Sequence, residues 1–119
     1  MRLFCYALVL ALTATAAQAD PPIISGREKA ALKVKLHAMM VDRLRDPGAA
    51  QTRDEFLSWS EHSDTPIASL CGMVNAKNAY GGYFGFARFI ASADGMIILE
   101  SDEKAFASIW PVWCVRPMR

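Results

Sequence analysis

Apolar residues recur at three- and four-residue spacing early in the chain and at two-residue spacing later, which predicts a helix followed by a sheet. Leu32, Leu36, Met39, Met40 and Leu44 carry the first pattern. Just before them, Ser25-Gly26-Arg27-Glu28 matches a capping box, in which the serine oxygen accepts from the Glu28 amide and the Glu28 carboxylate reaches back to the cap. The pattern therefore predicts an amphipathic helix whose stripe packs on the sheet, with Lys29, Lys33 and Arg43 mostly turned away from it. Pro47 disfavours a helical Asp46 and ends this helix. Alternatively, Asp46 caps a short second turn with Pro47 at its first position, and the chain changes direction in both cases.

Alternation of Phe56 and Ser58 with Leu57 and Trp59 predicts a first strand over Arg53 to Ser60, closed by the polar turn Glu61 to Pro66. Ile67 to Val74 reads as the second strand and Asn75-Ala76-Lys77-Asn78 as a hairpin connection leading to Tyr80. Tyr83, Gly85, Ala87 and Phe89 then share one face of an extended segment, and Gly82, Phe84, Phe86 and Ile90 the other. This is a third strand buried on both sides, and Gly81, Gly82 and Gly85 suggest a bulge, a bend or a close approach within it. Ala93-Asp94-Gly95 makes a tight turn and Met96 to Glu100 a fourth strand.

Phe106, Ile109, Trp110, Trp113 and Cys114 return to helical spacing, and Ser101 followed by Asp102 and Glu103 resembles a helix start. Pro111 inside a helix would cost about 3 kcal/mol. The helix is therefore expected from Asp102 to Trp110, with an irregular tail holding Cys114. The fold class expected is α+β: an N-terminal amphipathic helix, an antiparallel meander of about four strands, a short C-terminal helix and one disulfide.

Composition adds the compartment. Met1-Arg2, the apolar run Leu3 to Leu12 and Ala17-Gln18-Ala19 before Asp20 have the order of a secretory signal peptide, and the apolar run is shorter than the ~20 residues of a membrane span. Residues 1–19 are thus expected to be removed, leaving 20–119 as a single small domain, periplasmic or secreted, that opens with a mobile Pro21-Pro22 lead-in. Without Arg2 the 13 basic residues become 12, equal to the 12 acidic ones, so nothing points to nucleic acid as a partner. Charge is segregated, with Arg27, Lys29, Lys33, Lys35, Arg43 and Arg45 in the helical stretch and Asp46, Asp54, Glu55, Glu61 and Asp64 after it.

Of three cysteines, Cys5 leaves with the signal, and Cys71 and Cys114 remain as an even pair in an oxidising compartment, which reads as a disulfide. A zinc site using His37 or His62 and a catalytic thiol are the alternatives, and neither has a spacing signature. No nucleophile–base set, paired carboxylate or metal cluster is legible, so no catalytic residue, metal ligand or cofactor is expected. Asp54 and Glu55 are adjacent and would point to opposite faces of a strand. His62 stands beside acids in a loop. Gly81, Gly82 and Gly85 lack the helix and lysine of a phosphate cradle.

The run Cys-Gly-x-Val-Asn-x-Lys-Asn-x-x-Gly-Gly-Tyr-x-Gly-x-x-x-Phe, here Cys71 to Phe89, resembles the signature of small exported proteobacterial proteins. In those relatives an Asp-Pro-x-Ser-Ala-x-Phe element precedes the run and a cysteine near the C-terminus follows it. This chain keeps Asp46, Pro47, Ala50 and Cys114 and has Ala49 and Thr52 where serine and phenylalanine would stand. The resemblance implies an envelope protein with no catalytic residues to carry over. Asn75, Lys77, Asn78, Tyr80, Tyr83 and Arg88 combine amide, cationic and aromatic groups near one hairpin, a mixture suited to an envelope protein or glycan partner. The expected function is a non-catalytic binding or structural protein of the envelope. The alternative is an inhibitor that inserts the hairpin into a periplasmic or secreted hydrolase.

Overall fold

The computed structural model describes residues 20–61 and 64–119; the signal segment expected at 1–19, and His62 with its neighbour Ser63, lie outside the described residues. Helix α1 (Gly26–Val41) opens with the capping box in place: Ser25 Oγ accepts from the Glu28 amide and Glu28 Oε2 from the Ser25 amide, each at 3.2 Å. A 3-10 turn (Pro47–Ala49) follows. The sheet consists of β1 (Gln51–Trp59), β2 (Ala68–Asn75), β3 (Ala87–Ser92) and β4 (Ile97–Leu99), antiparallel in sequence order, and helix α2 (Phe106–Cys114) comes last. The fold is thus α+β, with two helices and a four-stranded meander.

Alternation along the strands gives the sheet two apolar faces, each covered by one helix. Leu57, Leu70, Val74, Phe89 and Ala91 pack with Leu36 and Met40 of α1. Cys71 and Ile90, on the other face, pack with Phe106, Trp113 and Cys114 of α2. The Cys71–Cys114 disulfide, with Cα atoms 6.0 Å apart, ties α2 to the centre of β2. Ser69, fully buried beside it, donates from Oγ to the Trp113 carbonyl at 2.9 Å, so a polar group in this core has its partner.

Three expectations need correction. The third strand begins at Ala87, because Gly81 and Gly85 adopt φ of 81° and 99°, which breaks the extended chain that the alternation of Tyr83 to Phe89 implied. Helix α2 starts at Phe106 and runs through Pro111 to Cys114. The carbonyl that Pro111 deprives of a donor belongs to Ala107, which is exposed to solvent, while buried Phe106 and Trp113 anchor both turns. The tail after α2 is irregular, as expected, although Cys114 belongs to the helix; it is tied to the sheet where Trp59 donates its amide to Arg116 and Met118 donates to Leu57, closing part of the β1 edge. Lys29 does not turn away from the body of the fold; its Nζ donates to the Arg119 carbonyl, and Ala30, Ala31, Val34 and Ala38 form much of the exposed face of α1.

Candidate functional site

The eleven residues between β2 and β3, Ala76 to Phe86, form a loop built around its own polar side chains. Asn78 is the hub. Its backbone amide donates to Gly82 and its carbonyl accepts from Gly81, while its side-chain oxygen accepts from the Tyr80 and Gly82 amides at 2.9 and 3.0 Å. This is the Asx geometry that asparagine favours, with Gly81 supplying the positive φ that the turn requires. Lys77 and Tyr83 pair across the loop as an isolated bridge, with the Lys77 ammonium 5.8 Å from the Tyr83 ring centre.

Asn75, at the end of β2, accepts from the Gly85 amide at 3.0 Å and donates from Nδ2 to Gln51 at 3.2 Å. Tyr83 donates its hydroxyl to the Ala49 carbonyl at 2.9 Å, which fastens the loop to the 3-10 turn. The residues selected for recognition are therefore largely the ones that shape the backbone. Tyr80 is the exception at 97 % exposure, and Phe84, absent from the expected set, joins it at 83 %. The signal for Phe84 was obscured because its place in the alternation assigned it to a strand interior.

Arg88 stands apart from this loop. It lies in β3 on the α2 face, where Nε and Nη2 donate to Glu100 Oε2 at 3.0 and 2.7 Å, and its guanidinium lies 5.1 Å from both the Phe106 and Trp110 ring centres. The Arg88 side chain, and then its backbone amide, hold the Glu100 carboxyl below its ordinary range. A carboxyl lowered in the folded state contributes stability above the unfolded carboxylate range, and that contribution disappears as pH falls through the lowered value. Glu100→Gln is expected to lose less melting temperature than the wild type over that interval, measured by calorimetry. Equal losses would assign the acid sensitivity to other carboxylates.

His37, named above only as a possible zinc ligand, is paired with a carboxylate. Its Nδ1 lies 3.1 and 3.0 Å from the two oxygens of Glu55, whose side chain is only 12 % exposed. Glu55 reaches α1 because β1 has a register break between Arg53 and Phe56, with Asp54 at φ 55°. The adjacent carboxylates of Asp54 and Glu55 thus differ in setting for a reason that simple strand alternation does not supply. The pair joins α1 to the bulge; among the described residues no group of three or more His, Cys, Asp or Glu side chains is placed to hold a metal ion.

At the other end of β1 a cleft of about 760 Å³ lies between Pro21–Ile24 and Val115–Arg119, with Trp59 in its wall. No helix among the described residues is long and apolar enough to cross a membrane. No family model, curated protein or solved structure matches this chain.

Proposed function

We propose that this chain is a non-catalytic recognition protein of the bacterial envelope and that it binds through the Ala76–Phe86 loop. The observation that carries this reading is the division of labour inside the loop. Its amides and the Tyr83 hydroxyl are committed to fixing the backbone, while Tyr80 and Phe84 stand in solvent. Exposed rings on a backbone already held in shape lose little entropy on binding, which is the property of a recognition element. Export to the periplasm or beyond is supported by the ordered signal features of residues 1–19, by the resemblance of Cys71 to Phe89 to exported proteins, and by the disulfide.

A second reading, inhibition of a periplasmic or secreted hydrolase, is favoured by the same protruding loop on a disulfide-braced sheet. Retention of envelope material on the immobilised protein tests the common premise. Tyr80→Ala and Phe84→Ala are expected to abolish retention while moving the melting temperature by less than about 4 °C, as for surface substitutions. Asn78→Ala is expected to lower retention and soften the loop, read as faster amide exchange at Gly82. Unchanged retention by the two aromatic variants would remove the loop from consideration, and a stoichiometric hydrolase in the retained fraction would select the inhibitor reading.

A further inference from the structure

We infer that the partner of the loop is a folded protein presenting apolar pockets flanked by carboxylates, with Tyr80 and Phe84 as inserted rings and Arg53 as the ion-pairing group. This inference rests on the loop being the recognition site. It draws on a feature outside the loop: Arg53 of β1 lies with its guanidinium 4.0 Å from the ring centre of half-buried Phe86. Register places Arg53 opposite Met73 and Met73 opposite Arg88, so the three form a row on one face of the sheet. Within that row Arg88 is neutralised by Glu100 at 2.7 Å, whereas the ion-pair approach to Arg53 among the described residues is that of exposed Asp54 at 3.8 Å.

The loop contains Lys77 and no acidic residue, so the rings sit in a cationic setting. Aromatic and arginine side chains are the groups that dominate protein interfaces, and positive charge at the rim selects an acidic counterpart. A glycan fits less well, because sugar rings need outward-facing hydrogen-bond groups beside the aromatic platform, and the amide oxygens of Asn75 and Asn78 and the Tyr83 hydroxyl already serve the loop itself. An anionic membrane fits less well too. Two cations, one of them beside Asp54, attract an anionic surface weakly, and the chain from Asp20 onward has equal numbers of acidic and basic residues.

The test places photoreactive benzoylphenylalanine at position 84 of the exported protein and irradiates it in native envelope fraction. In parallel, wild-type protein is incubated with purified cell-wall sacculi and with phosphatidylethanolamine–phosphatidylglycerol vesicles. The expected product is protease-sensitive, and its partner peptide maps beside a surface carboxylate. Its yield falls with added salt, and affinity for the identified protein falls about thirtyfold or more in Tyr80→Ala, the scale of an interface hot spot. Arg53→Glu is expected to weaken binding to that protein and an acid-to-arginine change at the mapped carboxylate to restore it. Attachment to a surface without carboxylates, failure of the charge swap, or wild-type retention on sacculi or vesicles that depends on Tyr80 would overturn the acidic-protein assignment and leave the loop as the site. Absence of any Tyr80-dependent product or retention would overturn both the assignment and the recognition reading.

Discussion

Reduction of the Cys71–Cys114 bond is expected to lower the melting temperature by about 20 °C, the largest single effect in the molecule. The bond spans 43 residues, and in the chain-entropy model a link of that span contributes about 4 kcal/mol by restricting the unfolded chain. That is a large part of the net stability of a small domain. Both sulfurs are enclosed, Cys71 fully buried and Cys114 5 % exposed, and the bond carries α2 onto β2. Helix α2 has other attachments: its Trp113 carbonyl accepts from Ser69, and its Val112 carbonyl accepts from the Glu61 amide. Calorimetry with and without reductant measures the link, and Cys71→Ala with Cys114→Ala adds the cost of the vacated volume. A shift under about 5 °C on complete reduction would mean that packing and these hydrogen bonds, rather than chain restriction, hold α2.

The pairing of those cysteines was legible because Cys71 and Cys114 are the two that lie outside residues 1–19, which the sequence pattern leads one to expect to be removed. The α1 start was legible for a comparable reason: Ser25 and Glu28 interact across three residues, so the cap depends on nothing distant. The loop was misread where local pattern and backbone conformation part company. Tyr83, Phe84, Gly85 and Phe86 alternate as a strand would, yet a glycine at φ 99° ends the alternation, and periodicity in residue type contains no record of φ. Pro111 was misread because its cost was counted without its surroundings. It occupies an exposed turn of a helix whose buried residues lie on either side of it.

The candidate site was legible in location but not in the roles of its residues. Asn75, Lys77, Asn78 and Tyr83 mark the loop, and all four make contacts within it or at its base. Whether an amide faces outward or turns back on its own backbone depends on the turn that the chain adopts. A residue list cannot distinguish the two. Arg88 was grouped with the loop by proximity in sequence, while its position in β3 commits it to Glu100 and the α2 rings. The His37–Glu55 pair was not legible at all, since it requires both α1 packing on the sheet and a register break in β1.

That register break makes Gly72 the second position where a large effect is expected. A Cβ added there would stand 3.0 Å from Glu55 Cγ, 3.1 Å from Glu55 Cα and 3.1 Å from Phe89 Cε1. Phe89 lies directly opposite Gly72 in register, so its ring covers the glycine from β3 while the bulge covers it from β1. The ring can swing by a few tenths of an ångström, but the Glu55 Cα belongs to the bulge backbone and cannot move without shifting the carboxylate that meets His37. Gly72→Ala is therefore expected to destabilise by about 1–3 kcal/mol through overpacking, and Gly72→Val by more. The His37 ring resonances should shift in the same variant, because the Nδ1 contact depends on the bulge. Phe89→Leu removes one of the two obstacles, so the double variant should be less destabilised than the sum of the singles, a coupling read from a double-mutant cycle by denaturant unfolding. Additive losses would mean that the Glu55 backbone rather than the Phe89 ring is the obstacle, and a Gly72→Ala protein that melts with the wild type and keeps the His37 resonances in place would mean that the sheet accepts a side chain at this position.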